Sequence, residues 1–141
     1  MFSDGSAANF GRDDRVIEAP LYNHVREVDY CSGALLATPR ALFEEIGGFD
    51  KRYEPAYYED TDYCFEVRKH GRRVYYQPES LVVHTEGGTG GTDLNSGTKR
   101  FQVVNQEKFA KKWKDALRKQ PKRPTQLDRG ALYGLAARAV R

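Results

Sequence analysis

The densest chemistry in the 141 residues is the run Tyr57-Tyr58-Glu59-Asp60-Thr61-Asp62, where three carboxylates fall within four positions behind two tyrosines. At the start of a helix such a group has two roles open to it. Acidic residues in a first turn each gain roughly 0.3 to 1 kcal/mol from the helix dipole, and Asp60 suits the N-cap position. Alternatively, Glu59 and Asp60 act on a substrate hydroxyl, one accepting its proton and the other orienting it, while the dipole keeps the base ionised. Asp60 and Asp62 also form a formal D-x-D. Side chains two positions apart on a helix diverge by ~200°, which argues against their sharing one metal ion.

A second candidate is His84, which closes the apolar run Leu81-Val82-Val83 and faces the glycine loop TEGGTGGTD. A neutral imidazole can bind a divalent ion, and Gly87, Gly88, Gly90 and Gly91 permit close backbone approach to phosphate oxygens or a closing lid. A lone histidine is more often a hydrogen-bonded structural residue. The loop is no phosphate-binding P-loop, because Lys99 follows Thr98 and no Lys-Ser or Lys-Thr pair occurs. Cys31, Cys64 and the three histidines lack zinc spacing, and no G-x-S-x-G nucleophile elbow is present.

The elements that must carry these residues read as follows. Val28 to Ala37 is a short apolar run and predicts a buried strand, with Gly33 at a bulge or close approach. Thr38, with a hydroxyl to cap an orphan amide, and Pro39 predict a helix start, Ala41, Leu42, Phe43 and Ile46 its apolar side, and Gly47-Gly48 its stop, after which Phe49 folds back onto it. A second helix is expected from about Asp60 to His70, with Tyr63, Cys64 and Val67 on one side and Gly71 at its end. Arg72 to Gln77 and Ser80 to His84 read as two β-rich stretches, and Thr85 to Thr98 as a loop. A last helix, Lys99 to about Lys119, should turn Val103, Phe109 and Trp113 inward.

Composition bounds the class. Aromatic residues at 12% and charged residues at 30% exclude a disordered chain, and the apolar stretches are far too short to cross a bilayer. The first residues have no basic stretch followed by an apolar one, so a signal peptide is not expected. Two cysteines 33 positions apart suit a reducing compartment. Charge is unevenly spread: residues 1–98 hold 10 basic and 17 acidic side chains, residues 99–129 hold 11 and 3. The basic tail includes Lys108, Lys111, Lys112, Lys114, Arg118, Lys119, Lys122 and Arg123. It could meet an anionic membrane surface, although a solvated helix face explains it with less, and no nucleic-acid module is recognisable.

Taken in series, Cys31-Ser32-Gly33-Ala34, Gly47-Gly48-Phe49-Asp50, Tyr58-Glu59-Asp60-Thr61-Asp62 and Val82-Val83-His84 with its glycine loop resemble the C-terminal, acceptor-side half of an inverting glycosyltransferase of family 2. The likeness spans about residues 28 to 92. It implies an α/β, GT-A-type (nucleotide-diphospho-sugar transferase) fold, here a short mixed sheet flanked by helices with the N-terminal nucleotide-binding half missing. By the same resemblance Asp60 is the catalytic base and Glu59 orients the acceptor. Gly33, Gly48, Asp50, Tyr58, Gly87 and Gly88 bind substrate, Gly47 and Phe49 belong to the turn that shapes the acceptor side, and His84 helps to hold a divalent metal (Mg or Mn) or the departing diphosphate. The remaining metal ligands are expected from the missing half.

The resemblance further implies a nucleotide-sugar donor and a glycan acceptor, cell-surface polysaccharide synthesis, and a cytoplasmic site at the inner face of the membrane. Residues 1–27 are expected as a connecting loop, 28–119 as the acceptor-side half, and 120–141 as a basic linker with an apolar end. The chain then looks truncated, and the isolated 141 residues are expected not to transfer sugar. Two other classes stay open: a non-catalytic fragment that docks or self-associates through the face its missing half would cover, and a basic module for anionic surfaces.

Overall fold

In a computed structural model, residues 1–9, 11, 22–84, 93, 95 and 97–125 are described. They form a small α/β unit with a two-stranded antiparallel sheet, β1 (Arg26–Glu27) and β2 (Tyr75–Tyr76), and four helices, α1 (Arg40–Ile46), α2 (Glu59–Lys69), α3 (Phe101–Lys112) and α4 (Lys114–Leu117). Arg26 pairs with Tyr76 and Glu27 with Tyr75, and Val28 N donates to Val74 O at 2.9 Å to continue the ladder. The sheet expected to be mixed is therefore antiparallel among the described residues.

Helix α2 lies at the centre because both of its sides are apolar. Phe65 packs with Tyr53, Tyr58, Phe109, Trp113 and Leu117 on the α3–α4 side. Tyr63, Cys64 and Val67 pack with Val74 and with Leu42, Phe43 and Ile46 of α1 on the other. Its ends suit the dipole, with Glu59, Asp60 and Asp62 in the first turn and Arg68 and Lys69 in the last. A helix buried on two sides has little amphipathic contrast to show in sequence.

Helix α1 ends where expected: Gly47 and Gly48 take φ of 89° and 77°, and both amides return to the Phe43 carbonyl. Phe49 folds back, its ring 5.4 Å from that of Phe43. Thr38 does not cap the helix. Pro39 holds the N-cap position, and the Thr38 hydroxyl instead shares a 2.8 Å hydrogen bond with the Tyr63 hydroxyl on α2.

Three expectations fail for identifiable reasons. Val28 to Ala37 is not a strand: Gly33–Leu35 is a 3-10 turn, because the Ser32 hydroxyl accepts the Ala34 amide at 3.3 Å and Gly33 N is taken by Asp60. Such local side-chain bonds compete directly with a sheet ladder. Of the two later β-rich stretches only Tyr75–Tyr76 pairs, and in Ser80 to His84 the side chains of Leu81 and Val83 are 87% and 96% exposed. The last helix breaks at Trp113, whose indole is drawn into the core, and Val103 faces outward at 51% exposure.

Near the N-terminus, Asp4 and Gly5 lie against α3. Phe2 is buried, Ser3 N donates to Pro121 O, and a Cβ on Gly5 (φ 78°) would sit 3.1 Å from Ala110 Cβ. A loop without apolar period is held here by close backbone approach.

Candidate active site

The Glu59-Asp60 pair stands at the head of α2, and its placement begins one residue earlier. Tyr58 precedes the helix at φ 77°, a left-handed conformation that costs a bulky residue on the order of 1–3 kcal/mol and persists only where the surroundings enforce it. Here the Tyr58 carbonyl accepts Asp62 N at 2.8 Å, its hydroxyl donates to Gly5 O at 3.1 Å, and its ring lies 5.3 Å from Phe109.

From that start Asp60 projects toward the Gly33 turn. Gly33 N donates to Oδ2 at 2.7 Å, while Thr61 N and Thr61 Oγ1 donate to Oδ1 at 2.6 and 3.2 Å. The side chain stays half-buried, so part of the carboxylate meets solvent with lone pairs to spare. A Cβ on Gly33 would stand 3.3 Å from Asp60 Cβ and 3.4 Å from Oδ2, so glycine lets the turn approach the carboxylate. Tyr30 is the neighbour that sequence did not indicate. Its phenol is pushed up to about 12 by burial and by the charge on Asp60, and it donates to Asn9 Oδ1 at 3.1 Å.

Glu59 differs from its neighbour. Burial, reinforced by the Asp60 charge, raises its pKa above the ordinary value, and among the described residues its buried Oε2 has no hydrogen-bond partner. One carboxylate is thus held by amide donors, and the other is biased toward its neutral acid. Environments that distinguish two adjacent carboxyls are how a site separates a proton acceptor from a hydrogen-bonding companion.

Asp62 points the other way, as helix spacing predicts. It is 2% exposed, with Oδ1 accepting Tyr53 Oη at 2.9 Å and Trp113 Nε1 at 2.7 Å, and Oδ2 facing Lys112 Nζ at 2.8 Å. Lys112 also reaches Glu66 at 3.0 Å and Asp50 at 3.2 Å. Burial opposes the charge on Lys112, but hydrogen bonds to Asp62 and Glu66 outweigh it and raise its pKa. Glu66 and Asp50 are held below the usual carboxylate range against the effect of burial, Glu66 by Lys112 and Lys69, Asp50 by the Arg52 amide and Lys112. The D-x-D is therefore one half-buried residue bonded to the Gly33 turn and one core residue.

The remaining candidates are dispersed. Tyr58, expected to bind substrate, has its ring and hydroxyl committed to the interior. Gly48 sits against Phe43, and Asp50 caps the Lys51–Tyr53 turn and pairs with Arg52 and Lys112, so neither is brought to Asp60. His84 is exposed. Gly87 and Gly88 lie outside the described residues. Among the described residues no group of three or more His, Cys, Asp or Glu side chains could hold a metal ion, so these residues alone do not fit the expected divalent metal. No helix among them is long and apolar enough to cross a membrane.

The small α/β unit thus offers a half-buried carboxylate at the head of its central helix, anchored by a backbone amide, a group able to accept a proton. The chain belongs to the family described as Glycosyltransferase like family 2, which matches residues 6–118. It is similar to an N-acetylglucosaminyl-diphospho-decaprenol L-rhamnosyltransferase of Mycobacterium tuberculosis, 37% identical over 68 residues, or 48% of this chain and 22% of that protein. A pre-mycofactocin glycosyltransferase of the same organism is 33% identical over 67 residues, 48% of this chain and 14% of its own length. A galactofuranosyl glycosyltransferase of Leishmania donovani is 34% identical over 67 residues, 45% of this chain and 15% of its own. The chain thus matches less than a quarter of the length of these curated relatives. No solved structure matches it.

Proposed function

We propose that the chain is the acceptor-side part of a GT-A-type, inverting glycosyltransferase in which Asp60 is the general base. The observation that carries this is the Asp60 carboxylate, half-buried and held by Gly33 N at 2.7 Å at the head of α2. Asp60 takes the proton of an acceptor hydroxyl, and that oxygen attacks the anomeric carbon of a nucleotide-sugar in line. The nucleoside diphosphate leaves from the opposite face, and configuration inverts. Glu59, biased toward its neutral form, hydrogen-bonds the acceptor and orients it.

Family membership and three relatives named as glycosyltransferases support the reaction class. Assembly of a cell-surface glycan at the cytoplasmic face of the membrane extends the same reading. A divalent metal held in part by His84 would draw its remaining ligands from outside the described residues, and no step above depends on it.

The test is the release of nucleoside diphosphate from a panel of nucleotide-sugars, with the anomeric configuration of the product read by NMR. The 141-residue chain is assayed beside the longest reading frame that carries it. Inverted product from the longer protein and no turnover from the chain alone is the expected pattern. Retention of configuration would overturn the single-displacement mechanism, and turnover by the isolated chain would overturn the placement of the donor site outside it.

A further inference from the structure

Helix α3 reaches the segment before Tyr58 through one side chain. Asn105 has 0% exposure, and its Nδ2 donates to the carbonyls of Tyr53 at 2.7 Å, Ala56 at 2.8 Å and Tyr57 at 3.0 Å. Two amide hydrogens serve three acceptors, so one is shared. The nitrogen must face these carbonyls, since the oxygen would meet three acceptors with no proton between them. In consequence Oδ1 is buried with no partner among the described residues.

A buried amide that leaves its own acceptor unpaired is an incomplete answer to the needs of the core. What it accomplishes is geometric. Three carbonyls within five consecutive residues are fixed from a different helix, and the chain leaves them directly into Tyr58 at φ 77°. That conformation has to be enforced from both sides. Asp62 N bonded to the Tyr58 carbonyl enforces it from the helix side, and Asn105 from the turn side.

We propose that Asn105 is a positioning residue for Asp60: its side-chain amide fixes the turn from Tyr53 to Tyr57, the turn sets where α2 begins, and that start aims the Asp60 carboxylate at Gly33 N. The proposal rests on the assignment of Asp60 as the base only for its functional meaning. The placement itself can be read in the chain without any turnover.

The probe is the Gly33 amide, whose hydrogen-bond acceptor is Asp60 Oδ2. In the 15N-labelled 141-residue chain its resonance should shift as the Asp60 carboxyl titrates, and Asp60→Asn should abolish that shift. Asn105→Leu keeps the branching of the side chain and removes the donors. With the fold retained, as judged by unchanged resonances of Tyr63, Val67 and Val74, the Gly33 titration should be largely lost. An unchanged Gly33 titration in folded Asn105→Leu would overturn the proposal, because a merely structural asparagine would lower stability and leave that amide alone.

Should Asn105→Leu not fold, hydrogen exchange in the unmodified chain decides. Asn105 Nδ2 and Gly33 N protons should lose protection in one common opening, and independent openings would overturn the proposal. A full kcat in Asp60→Asn would sink the base assignment while leaving these amide measurements intact, so the two failures are distinguishable.

Discussion

Replacing Asp62 separates the two acidic residues of the D-x-D by energy. In Asp62→Ala the Tyr53 hydroxyl and the Trp113 indole N–H lose their shared acceptor in the interior, and Lys112 loses one of three carboxylates. Leaving a buried donor unpaired costs about 1–3 kcal/mol, and removing one partner of a buried ion pair about 3–5 kcal/mol. Because Glu66 and Asp50 still attend Lys112, the ionic loss falls well below that range, the two unpaired donors dominate, and we expect about 3–6 kcal/mol in total.

Asp62→Asn should cost less, about 1.5–3 kcal/mol, since both neutral donors point at Oδ1, which an amide oxygen can replace, and only the contact of Oδ2 with Lys112 is spoiled. Urea unfolding followed by fluorescence reports the site directly, because Trp113 is the sole tryptophan. A loss below about 1 kcal/mol in Asp62→Ala, or equal losses in Ala and Asn, would refute the assignment of Asp62 to the core.

Other perturbations follow from the same geometry. Glu59→Gln should stabilise the chain at neutral pH: a raised carboxyl pKa means that the folded state holds its proton more tightly, so stability falls as pH rises from the unfolded pKa through the folded one. Thermal unfolding across that interval should show the advantage of Gln vanishing in acid. Gly48→Ala and Gly47→Ala should each lose about 1–2 kcal/mol from left-handed backbone, with Gly48 the worse because its Cβ would stand 3.2 Å from the Phe43 ring, whereas Gly47 faces open space. Chemical denaturation of both variants checks the order. Gly33→Ala adds no left-handed strain but presses on Asp60, so kcat should fall while Tm moves by only a few degrees.

What could be read from the chain was what depends on near neighbours. The Gly47-Gly48 stop, the return of Phe49 and the buried side of Tyr63, Cys64 and Val67 are local matters of backbone conformation and helical period. So was the divergence of Asp60 from Asp62. Three things were not local. The apolar run from Val28 looks like a strand until Ser32 and Asp60 claim the amides of Ala34 and Gly33, and Asp60 lies 27 positions away. The cap role suggested for Thr38 lost to Tyr63, 25 positions on. Phe109 and Trp113 turn inward as expected, but the bonds of Asn105 to the turn before α2 and of Lys112 and Trp113 to Asp62 appear only once α3 lies against residues some 50 positions earlier.

Glu59 and Asp60 were visible as a cluster, but their different environments were not, since burial and the Gly33 amide come from tertiary contacts. The helix-dipole explanation of the acidic first turn also holds for part of it. Arg68 and Lys69 complete that arrangement at the other end of α2.

The central claim is that Asp60 removes the acceptor proton. Its most direct test is kcat of Asp60→Asn, measured with donor affinity in the longest active protein that carries this chain. The account predicts a fall of about 10²–10⁴-fold in kcat with donor binding nearly unchanged. A kcat near that of the unsubstituted protein would contradict it and leave the dipole as the whole reason for that carboxylate.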